Sequence, residues 1–363
     1  MNRQINVIIA GGGTGGHLFP GIAIAQAFID ENQDNKILFI TVGKPFEVNA
    51  LSNYGFNLEQ IKVEGIKGKG IIQKIKSILI LPKSIYSSIK IIKRFKPDIV
   101  VGVGGYISGP VVISAWLMGI KTVLHEQNSI PGITNRVLSK FVKKIFISFI
   151  DIKRRFNQEK VCLTGNPVRK ELLSSLTPQK QINNKFTILI LGGSQGARSI
   201  NKAITDALEY IKEKEGIFFI HQTGVNDEDK VREAYLNNGI DSEVSAFFND
   251  MKEKYLRADL VICRSGATTC AEITAIGKPA VFIPFPFATD NHQFFNAKNI
   301  VDAGGGEMIL EKELTGKILG EKINYYFLNK GNLSNMAQKA KSCGRPSAAE
   351  EIVCNCYSNV LGE

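Results

Sequence analysis

The sequence predicts an α/β protein made of two doubly wound parallel-sheet domains. Short apolar segments alternate with helical segments along most of the chain, which is typical of parallel sheets covered by helices. A strand, a glycine-rich loop and a helix follow one another at the start of the chain, and the same unit returns about 180 residues later. The length of 363 residues also favours two domains over a single core.

The first strand–loop–helix unit organises the amino-terminal half. Val7–Ala10 is predicted to be a buried strand, residues 11–16 form the loop GGGTGG, and Ile22–Asp30 is predicted to be a helix. Glycines let a backbone approach a ligand closely and a helix N-terminus attracts negative charge, so this loop suits an anion or a sugar. The pattern lacks the G-K-[ST] of a P-loop, and Thr41–Gly43 supply no acidic residue for a dinucleotide ribose.

His17 follows this loop and has two interpretations. An imidazole titrates near neutral pH, so His17 is a candidate general base or ligand contact. The alternative is a histidine at a helix start that bonds only to its own loop.

The same alternation predicts the remaining elements. In the first half, further strands are expected at Ile37–Thr41, Ile99–Val103, Thr122–His125 and Lys144–Ser148. Helices are expected there at Phe46–Asn53, Ser84–Arg94, Gly109–Met118 and Thr134–Lys140. In the second half, strands are expected at Ile188–Leu191, Phe218–Gln222, Val244–Ala246, Leu260–Cys263 and Ala280–Pro284.

Two more loops of the first half follow strand ends. Residues 102–110 repeat the glycine theme, and Glu126, Gln127 and Asn128 follow the next strand. Because ligands of open α/β sheets bind at the carboxyl edge, three such loops on one rim indicate a binding site. For any single residue, the alternative is a polar loop that caps the next helix.

The segment Gly165–Arg169 is predicted to be the seam between the domains. We expect a first domain of residues 1–166 and a second of residues 167–343, with a C-terminal helix, 344–363, that packs back on the first.

The densest polar stretch of the second half is Cys263–Thr274. A helix is predicted to begin near Thr268, after a turn, so its N-terminus can hold a diphosphate. Glu272 can bind two ribose hydroxyls, or it only complements the helix dipole, which is worth roughly 0.3–1 kcal/mol. The segment Asp290–Gln293 can contact sugar hydroxyls, although Asp290 can equally cap its helix.

The net charge is +11, and residues 61–96 contain ten basic residues but one acid, interleaved with isoleucine and leucine. Such a stretch favours an anionic membrane surface. A solvated helix with an apolar core side is the alternative, and poor aromatic interleaving argues against nucleic acid. The six cysteines form no CxxC pair, which indicates a reducing compartment, and no apolar run reaches the ~20 residues of a membrane span.

Seven motifs considered together are more specific than any one of them: GGGTGGHLFPG, GVGGYISGP, LHEQN, GNPVR, LGGSQGAR, CRSGATTCAE and PFATDNHQ, in this order. The set, which extends from Val7 to about Ala297, resembles the bacterial N-acetylglucosaminyltransferases of glycosyltransferase family 28, which convert the first lipid-linked peptidoglycan precursor into the second. The resemblance implies two Rossmann-like domains facing across a cleft (GT-B) and an inverting transfer to the 4-hydroxyl of a lipid-linked muramoyl-pentapeptide. It implies neither a cofactor nor a metal.

The resemblance also implies roles for individual residues. UDP-N-acetylglucosamine would contact Thr14, Gly15, Gly16, Asn128, Arg169, Ser194, Phe248, Ala267, Thr268, Thr269, Glu272 and Gln293. Gly104, Gly105 and Tyr106 would lie near the acceptor and its diphosphate. His17 is the candidate base. If His17 positions the acceptor instead, Glu126 is the next candidate for the base. The alternative for Glu126 is a structural role, since it could be buried.

Because the implied acceptor is tethered to a lipid, the resemblance places the protein peripherally on the cytoplasmic face of the plasma membrane. The docking surface would include Ile71, Ile75, Leu79, Lys74, Lys76 and Lys83. Cell-wall synthesis and division proteins are the partners that the family suggests. Three rival functions are a GT-B transferase with another acceptor, a non-catalytic nucleotide-binding protein and a nicotinamide oxidoreductase.

Overall fold

The chain forms two compact α/β units. In a computed structural model, residues 3–63, 71–150, 154–174, 185–193 and 196–362 are described, with the backbone alone for residues 71–80. The first unit comprises Met1–Lys170 with Arg345–Glu363, and the second comprises Glu171–Gly344.

The first unit contains a seven-stranded parallel sheet in the order β3-β2-β1-β4-β5-β6-β7. Its strands are β1 Asn6–Ala10, β2 Lys36–Thr41, β3 Asn57–Gln60, β4 Ile99–Gly102, β5 Lys121–Glu126, β6 Lys144–Ile147 and β7 Val161–Leu163. Its helices are α1 Gly15–Glu31, α2 Pro45–Asn53, α3 Ile71–Phe95, α4 Ser108–Leu117 and α5 Ile133–Leu138. Ala10, Gly102 and Leu124 are in register, so the loops that follow β1, β4 and β5 lie at one edge.

The second unit contains a six-stranded parallel sheet in the order β10-β9-β8-β11-β12-β13. Its strands are β8 Phe186–Leu191, β9 Ile217–Gln222, β10 Ser242–Ser245, β11 Leu260–Cys263, β12 Ala280–Phe282 and β13 Glu307–Met308. Helix α6, Lys170–Leu173, begins at the last residue of the first unit and continues into the second. The other helices of the second unit are α7 Arg198–Ala207, α8 Glu228–Asn237, α9 Met251–Arg257, α10 Ala267–Ile276, α11 His292–Asp302, α12 Gly316–Leu328 and α13 Lys330–Cys343. Leu191, Gln222 and Cys263 are in register at its carboxyl edge.

The predicted fold class, two parallel-sheet α/β units, is therefore confirmed. All ten predicted strands are present, with ends shifted by up to two residues. The sequence did not predict β3, β7 and β13, because the first is polar and the other two have only three and two residues.

The start of α1 was predicted too late. The helix begins at Gly15 rather than Ile22, so Gly15 and Gly16 belong to its first turn, and Pro20 lies inside it. A proline inside a helix removes one backbone hydrogen bond, which is why the pattern favoured a start after Pro20. Pro20 is buried in this helix, and the N-terminus of α1 consequently lies at the glycine loop itself.

The C-terminal segment packs on the first unit. Helix α14, Ala348–Asn355, and the π-helical turn Cys356–Leu361 bury Ile352, Val353 and Tyr357 in the same apolar cluster as α1. The side-chain amide of Asn35 donates to the Tyr357 hydroxyl at 2.9 Å. This segment closes one face of the first sheet.

Candidate active site

Two glycine loops of the first unit meet at the carboxyl edge of its sheet. A Cβ on Gly105, at φ +79°, would lie 2.8 Å from the carbonyl oxygen of Gly12. No side chain fits there, so the backbone of the loop after β4 can lie directly against the backbone of the loop after β1. Tyr106, the next residue, is 43% exposed and is available to a ligand.

Glu47, which the sequence analysis did not single out, holds the first loop in place. Its fully buried carboxylate accepts from the backbone N–H of Gly13 at 2.5 Å and from that of Lys44 at 2.8 Å. The ammonium of Lys44 donates to the carbonyl oxygen of Gly13 at 2.7 Å. The loop is thus fixed on its α2 side before any ligand arrives.

His17 lies in the first turn of α1, between the two loops. Its Nδ1 is 3.2 Å from the hydroxyl oxygen of Thr14, the N-cap residue. A Cβ on Gly104 would lie 2.6 Å from Cδ2 and 3.0 Å from Nε2 of this imidazole. If Nδ1 donates to Thr14, Nε2 is the nitrogen that can accept a proton.

Glu126 ends β5 with its carboxylate turned into the protein. It accepts from the backbone and side-chain amides of Asn128 at 3.0 and 3.4 Å, from the backbone of Gly132 at 3.0 Å and from the side chain of Asn135 at 2.9 Å. Burial raises the pKa of Glu126, and these donors act to lower it. Four donors from its own loop favour the structural interpretation of Glu126 and leave Asn128 at the rim.

Several buried polar atoms at the same edge have no hydrogen-bond partner. His125 uses Nε2 to donate to the carbonyl oxygen of Gly165 at 3.1 Å, and its Nδ1 is unpartnered. Gln127 Oε1, Asn135 Oδ1 and both amide atoms of Asn166 are also unpartnered. Since buried polar groups in proteins are almost always paired, this concentration of atoms without a partner among the described residues is unusual.

Arg169, the last residue of the GNPVR motif, lies with its guanidinium 4.3 Å from the ring centroid of Phe19 in α1. The aromatic ring fixes the guanidinium plane near the first glycine loop, on which Thr14, Gly15 and Gly16 lie.

In the second unit, the site predicted from CRSGATTCAE is built around the start of α10. Ala267, Thr268 and Thr269 form its first turn, and Gly266 is the N-cap residue. The backbone N–H groups of such a turn have no partner within the helix and attract anions. Gln293 accepts from Ser265 through its backbone oxygen at 2.9 Å and from the Phe285 N–H through its side chain at 3.0 Å, which connects this turn to α11.

Glu272 and Phe248 are both largely buried in the second unit. Glu272 accepts from the hydroxyl of Tyr255 at 3.0 Å, a partner that the sequence did not reveal. The backbone N–H of Phe248 donates to Gln222 Oε1 at 3.1 Å. A nucleotide base could therefore contact the backbone of Phe248 only through the carbonyl oxygen.

Arg264 connects three elements of the second unit. It donates to the carbonyl oxygen of Ile283 at 3.1 Å and to the hydroxyl of Ser199 at 2.8 Å, and it forms an ion pair with Glu311 at 2.5 Å. These contacts point the arginine away from the first turn of α10 and give it a structural role.

Some predicted residues lie outside the described residues. Ser194 is one of them, and of Ile71, Ile75, Leu79, Lys74 and Lys76 only the backbone, in α3, is described. Lys83, further along α3, is exposed. No described helix has both the length and the apolar character needed to cross a bilayer.

Comparison with known proteins gives matches along both units. The model of the glycosyltransferase family 28 N-terminal domain matches residues 7–147, and that of the family 28 C-terminal domain matches residues 187–352. A protein of Myxococcus xanthus, named UDP-N-acetylglucosamine–N-acetylmuramyl-(pentapeptide) pyrophosphoryl-undecaprenol N-acetylglucosamine transferase, is 45% identical, with 97% of this chain and 92% of the relative covered. A protein of the same name from Syntrophus aciditrophicus is 46% identical over 98% of this chain and 99% of the relative.

Solved structures with a similar fold are also found. The crystal structure of Acinetobacter baumannii MurG is similar with a TM-score of 0.75 and 29% identity, covering 96% of this chain and 98% of that one. The UDP-GlcNAc 2-epimerase of Neisseria meningitidis has a TM-score of 0.71 at 17% identity, over 98% of this chain and 100% of that one, which is a likeness of fold alone. The matched models and the near-full-length identities lead to one conclusion: this chain belongs to glycosyltransferase family 28.

Proposed function

We propose that this chain transfers N-acetylglucosamine from UDP-N-acetylglucosamine to the 4-hydroxyl of N-acetylmuramoyl-pentapeptide diphospho-undecaprenol. The reaction converts lipid I into lipid II, a step of peptidoglycan synthesis. One observation carries the proposal: identity of 45% over 97% of the chain with a relative named as this transferase.

His17 is the general base in this proposal. Its Nε2 takes the proton of the acceptor 4-hydroxyl while the oxygen forms a bond to the anomeric carbon of the donor sugar. The bond from that carbon to the diphosphate breaks, and the electron pair leaves with UDP. The Thr14 contact at Nδ1, 3.2 Å, supports the tautomer that this role requires.

The second unit binds the donor in this proposal. Backbone N–H groups at Ala267, Thr268 and Thr269 hold the diphosphate and stabilise its growing negative charge. Glu272 accepts from the ribose hydroxyls, and the Phe248 carbonyl oxygen contacts uracil. The remaining donor contacts are Thr14, Gly15, Gly16, Asn128, Arg169, Ser194 and Gln293.

The first unit binds the acceptor in this proposal. Gly104, Gly105 and Tyr106 contact its sugar or diphosphate, which is supported by the exposed side chain of Tyr106. The unpartnered amide of Asn166 supports a polar ligand at this edge. Glu126 shapes the loop of Asn128 rather than taking the proton.

The acceptor lipid places the protein peripherally at the cytoplasmic face of the plasma membrane, where division and cell-wall synthesis proteins are its expected partners.

Helix α3 docks on anionic lipid, and each lysine near the surface contributes about 1 kcal/mol. The variant Lys74→Glu/Lys76→Glu/Lys83→Glu is expected to lose binding to anionic vesicles in a sedimentation assay and to keep its affinity for UDP. Vesicle binding equal to that of the wild type would contradict this part of the proposal.

The proposed reaction is tested by supplying radiolabelled UDP-N-acetylglucosamine with a short-chain lipid I analogue. Label is expected in the disaccharide-lipid product, with release of UDP. An acceptor panel that includes diacylglycerol and an antibiotic aglycone distinguishes another transferase. Donor binding without transfer to any acceptor would overturn the proposed function and favour a non-catalytic nucleotide-binding protein.

A further inference from the structure

Gln127 has a buried side chain that is bonded at one end only. It is 1% exposed, and its Nε2 donates to the carbonyl oxygen of Val103 at 2.6 Å. Because a backbone carbonyl can only accept, this bond settles which end of the amide is the NH₂ group. The other end, Oε1, has no hydrogen-bond partner among the residues that the structure describes.

The unpartnered oxygen and the imidazole of His17 both face the Cβ position of Gly104. A Cβ on Gly104 would lie 3.4 Å from Gln127 Oε1, 3.0 Å from His17 Nε2 and 2.6 Å from His17 Cδ2. The oxygen and the Cδ2–Nε2 edge of the imidazole therefore border the same small volume. This volume is open only because residue 104 has no side chain.

Leaving a buried carbonyl oxygen unpaired is energetically unfavourable, because the oxygen has lost its hydrogen bonds to water. An oxygen of this kind interacts favourably with any positive charge that arises next to it, most strongly where water is excluded. A neutral His17 does not supply that charge, whereas an imidazolium does.

We propose that Gln127 is a positioning residue for His17: Val103 holds its carbonyl dipole so that Oε1 stabilises the imidazolium formed when His17 takes the acceptor proton. This inference rests on the proposed function, in which His17 is the base. Oε1 forms no covalent bond, and the proton stays on His17 Nε2 until UDP has left.

Other charged or titratable groups lie on the loops and strand end at this edge, and one of them, His125, interacts electrostatically with His17. They are His125 and Glu126 at the end of β5, Glu47 and Lys44 on the α2 side of the first loop, and Tyr106 after the second loop. Variants at Gln127 leave these groups in place, so a change in the titration of His17 reports the Gln127 oxygen.

The test is the pKa of His17, measured by NMR with labelled histidine in the wild type, Gln127→Met and Gln127→Glu. His17→Ala assigns the signal, and His125 titrates separately because burial lowers its pKa to about 4. Methionine removes the acceptor, so the His17 pKa is expected to fall by about 0.5 to 1. Glutamate keeps an acceptor oxygen and adds negative charge, so the value is expected to rise. The acid limb of the pH profile of kcat/KM is expected to shift in the same direction as the His17 pKa in each variant.

If Gln127 were merely structural, the His17 pKa would shift in the same direction in both variants or stay unchanged. Either result would overturn the inference. Gln222→Met is the matched control, because Gln222 is a buried amide of the other unit, and it is expected to leave the His17 pKa unchanged. If Gln127→Met does not fold, Gln127→Glu still decides, since a lowered pKa there contradicts the account. Failure of the proposed function is read separately, as donor binding by the wild type without transfer to any acceptor, and failure of His17 as the base is read as transfer at the same rate by His17→Ala.

Discussion

The carboxyl edges of the two sheets share one topology but differ in how they satisfy buried polar groups. In the first unit His125 and Gln127 each have one unpartnered polar atom. In the second, His221 bonds to Tyr235 at 3.1 Å and to Asn201 at 3.0 Å, and Gln222 bonds through both amide atoms. Among the described residues, the first edge therefore has buried side-chain atoms without a hydrogen-bond partner, while His221 and Gln222 of the second edge are fully bonded.

This difference fits the two proposed substrates. A uridine diphosphate has few distinct features, and a helix N-terminus with one carboxylate is enough to bind its phosphates and ribose. Deprotonating the acceptor hydroxyl needs a base, and the buried polar groups of the first edge lie near the candidate base His17 rather than near a phosphate.

Among the variants that keep His17, Gly104→Ala is expected to lower the rate of transfer most. The new methyl would lie 2.6 Å from His17 Cδ2, so we expect transfer to fall by about 100-fold while UDP binding is kept. Gly119→Ala is the matched control, since it has a similar positive φ, +76°, but open space around it. Both variants should lose about 1–2 kcal/mol of unfolding free energy, measured with urea. Equal transfer by the two variants would contradict the account of the first edge.

Glu272→Ala tests the donor edge. Losing a carboxylate that binds ribose should raise the KM for UDP-N-acetylglucosamine roughly 10- to 100-fold, with a smaller change in kcat, in steady-state kinetics. Tyr255→Phe is the control, because it removes only the hydroxyl that donates to Glu272 and should raise KM much less. An unchanged KM in Glu272→Ala would remove Glu272 from the donor site.

The two buried histidines predict a loss of stability in acid. Burial lowers the pKa of His125 to about 4 and that of His221 to about 3. An unfolded histidine titrates near 6.5, so the unfolded chain binds more protons, and stability falls as the pH drops below 6.5. We expect roughly 1 kcal/mol per pH unit for each histidine in urea unfolding, down to the folded pKa.

His221→Asn should remove the part of this slope that belongs to the second unit, whereas His292→Asn, at a half-buried position, should keep the full slope. Stability that is constant between pH 7 and pH 5 would show that these histidines are not buried in the neutral form.

The smallest expected effect is that of Tyr357→Phe. It removes a hydroxyl bonded to Asn35 at 2.9 Å, so the first unit should lose about 1 kcal/mol of unfolding free energy. Tyr86→Phe, in which the tyrosine is 71% exposed, should change stability by less than about 0.5 kcal/mol. A larger loss for Tyr86→Phe would contradict the packing described for the C-terminal segment.

The sequence predicted the strands that contain apolar residues and the glycine loops, because both depend on local pattern. It did not predict the partners that fix the loops. Glu47 reaches Gly13 across 34 residues, and Tyr255 reaches Glu272 across 17. Gln127 was assigned to the rim, but only the fold reveals that one end of its amide is bonded to Val103 and the other is not. Contacts of this kind depend on the order of the strands rather than on any short motif.

The most direct test compares transfer of N-acetylglucosamine to the lipid I analogue by the wild type and by His17→Ala, with UDP affinity measured for both. The account predicts product from the wild type, a loss of roughly 10²- to 10⁴-fold in the variant and equal UDP affinity. Transfer at the same rate by both proteins would contradict the central claim that the first edge supplies the base through His17.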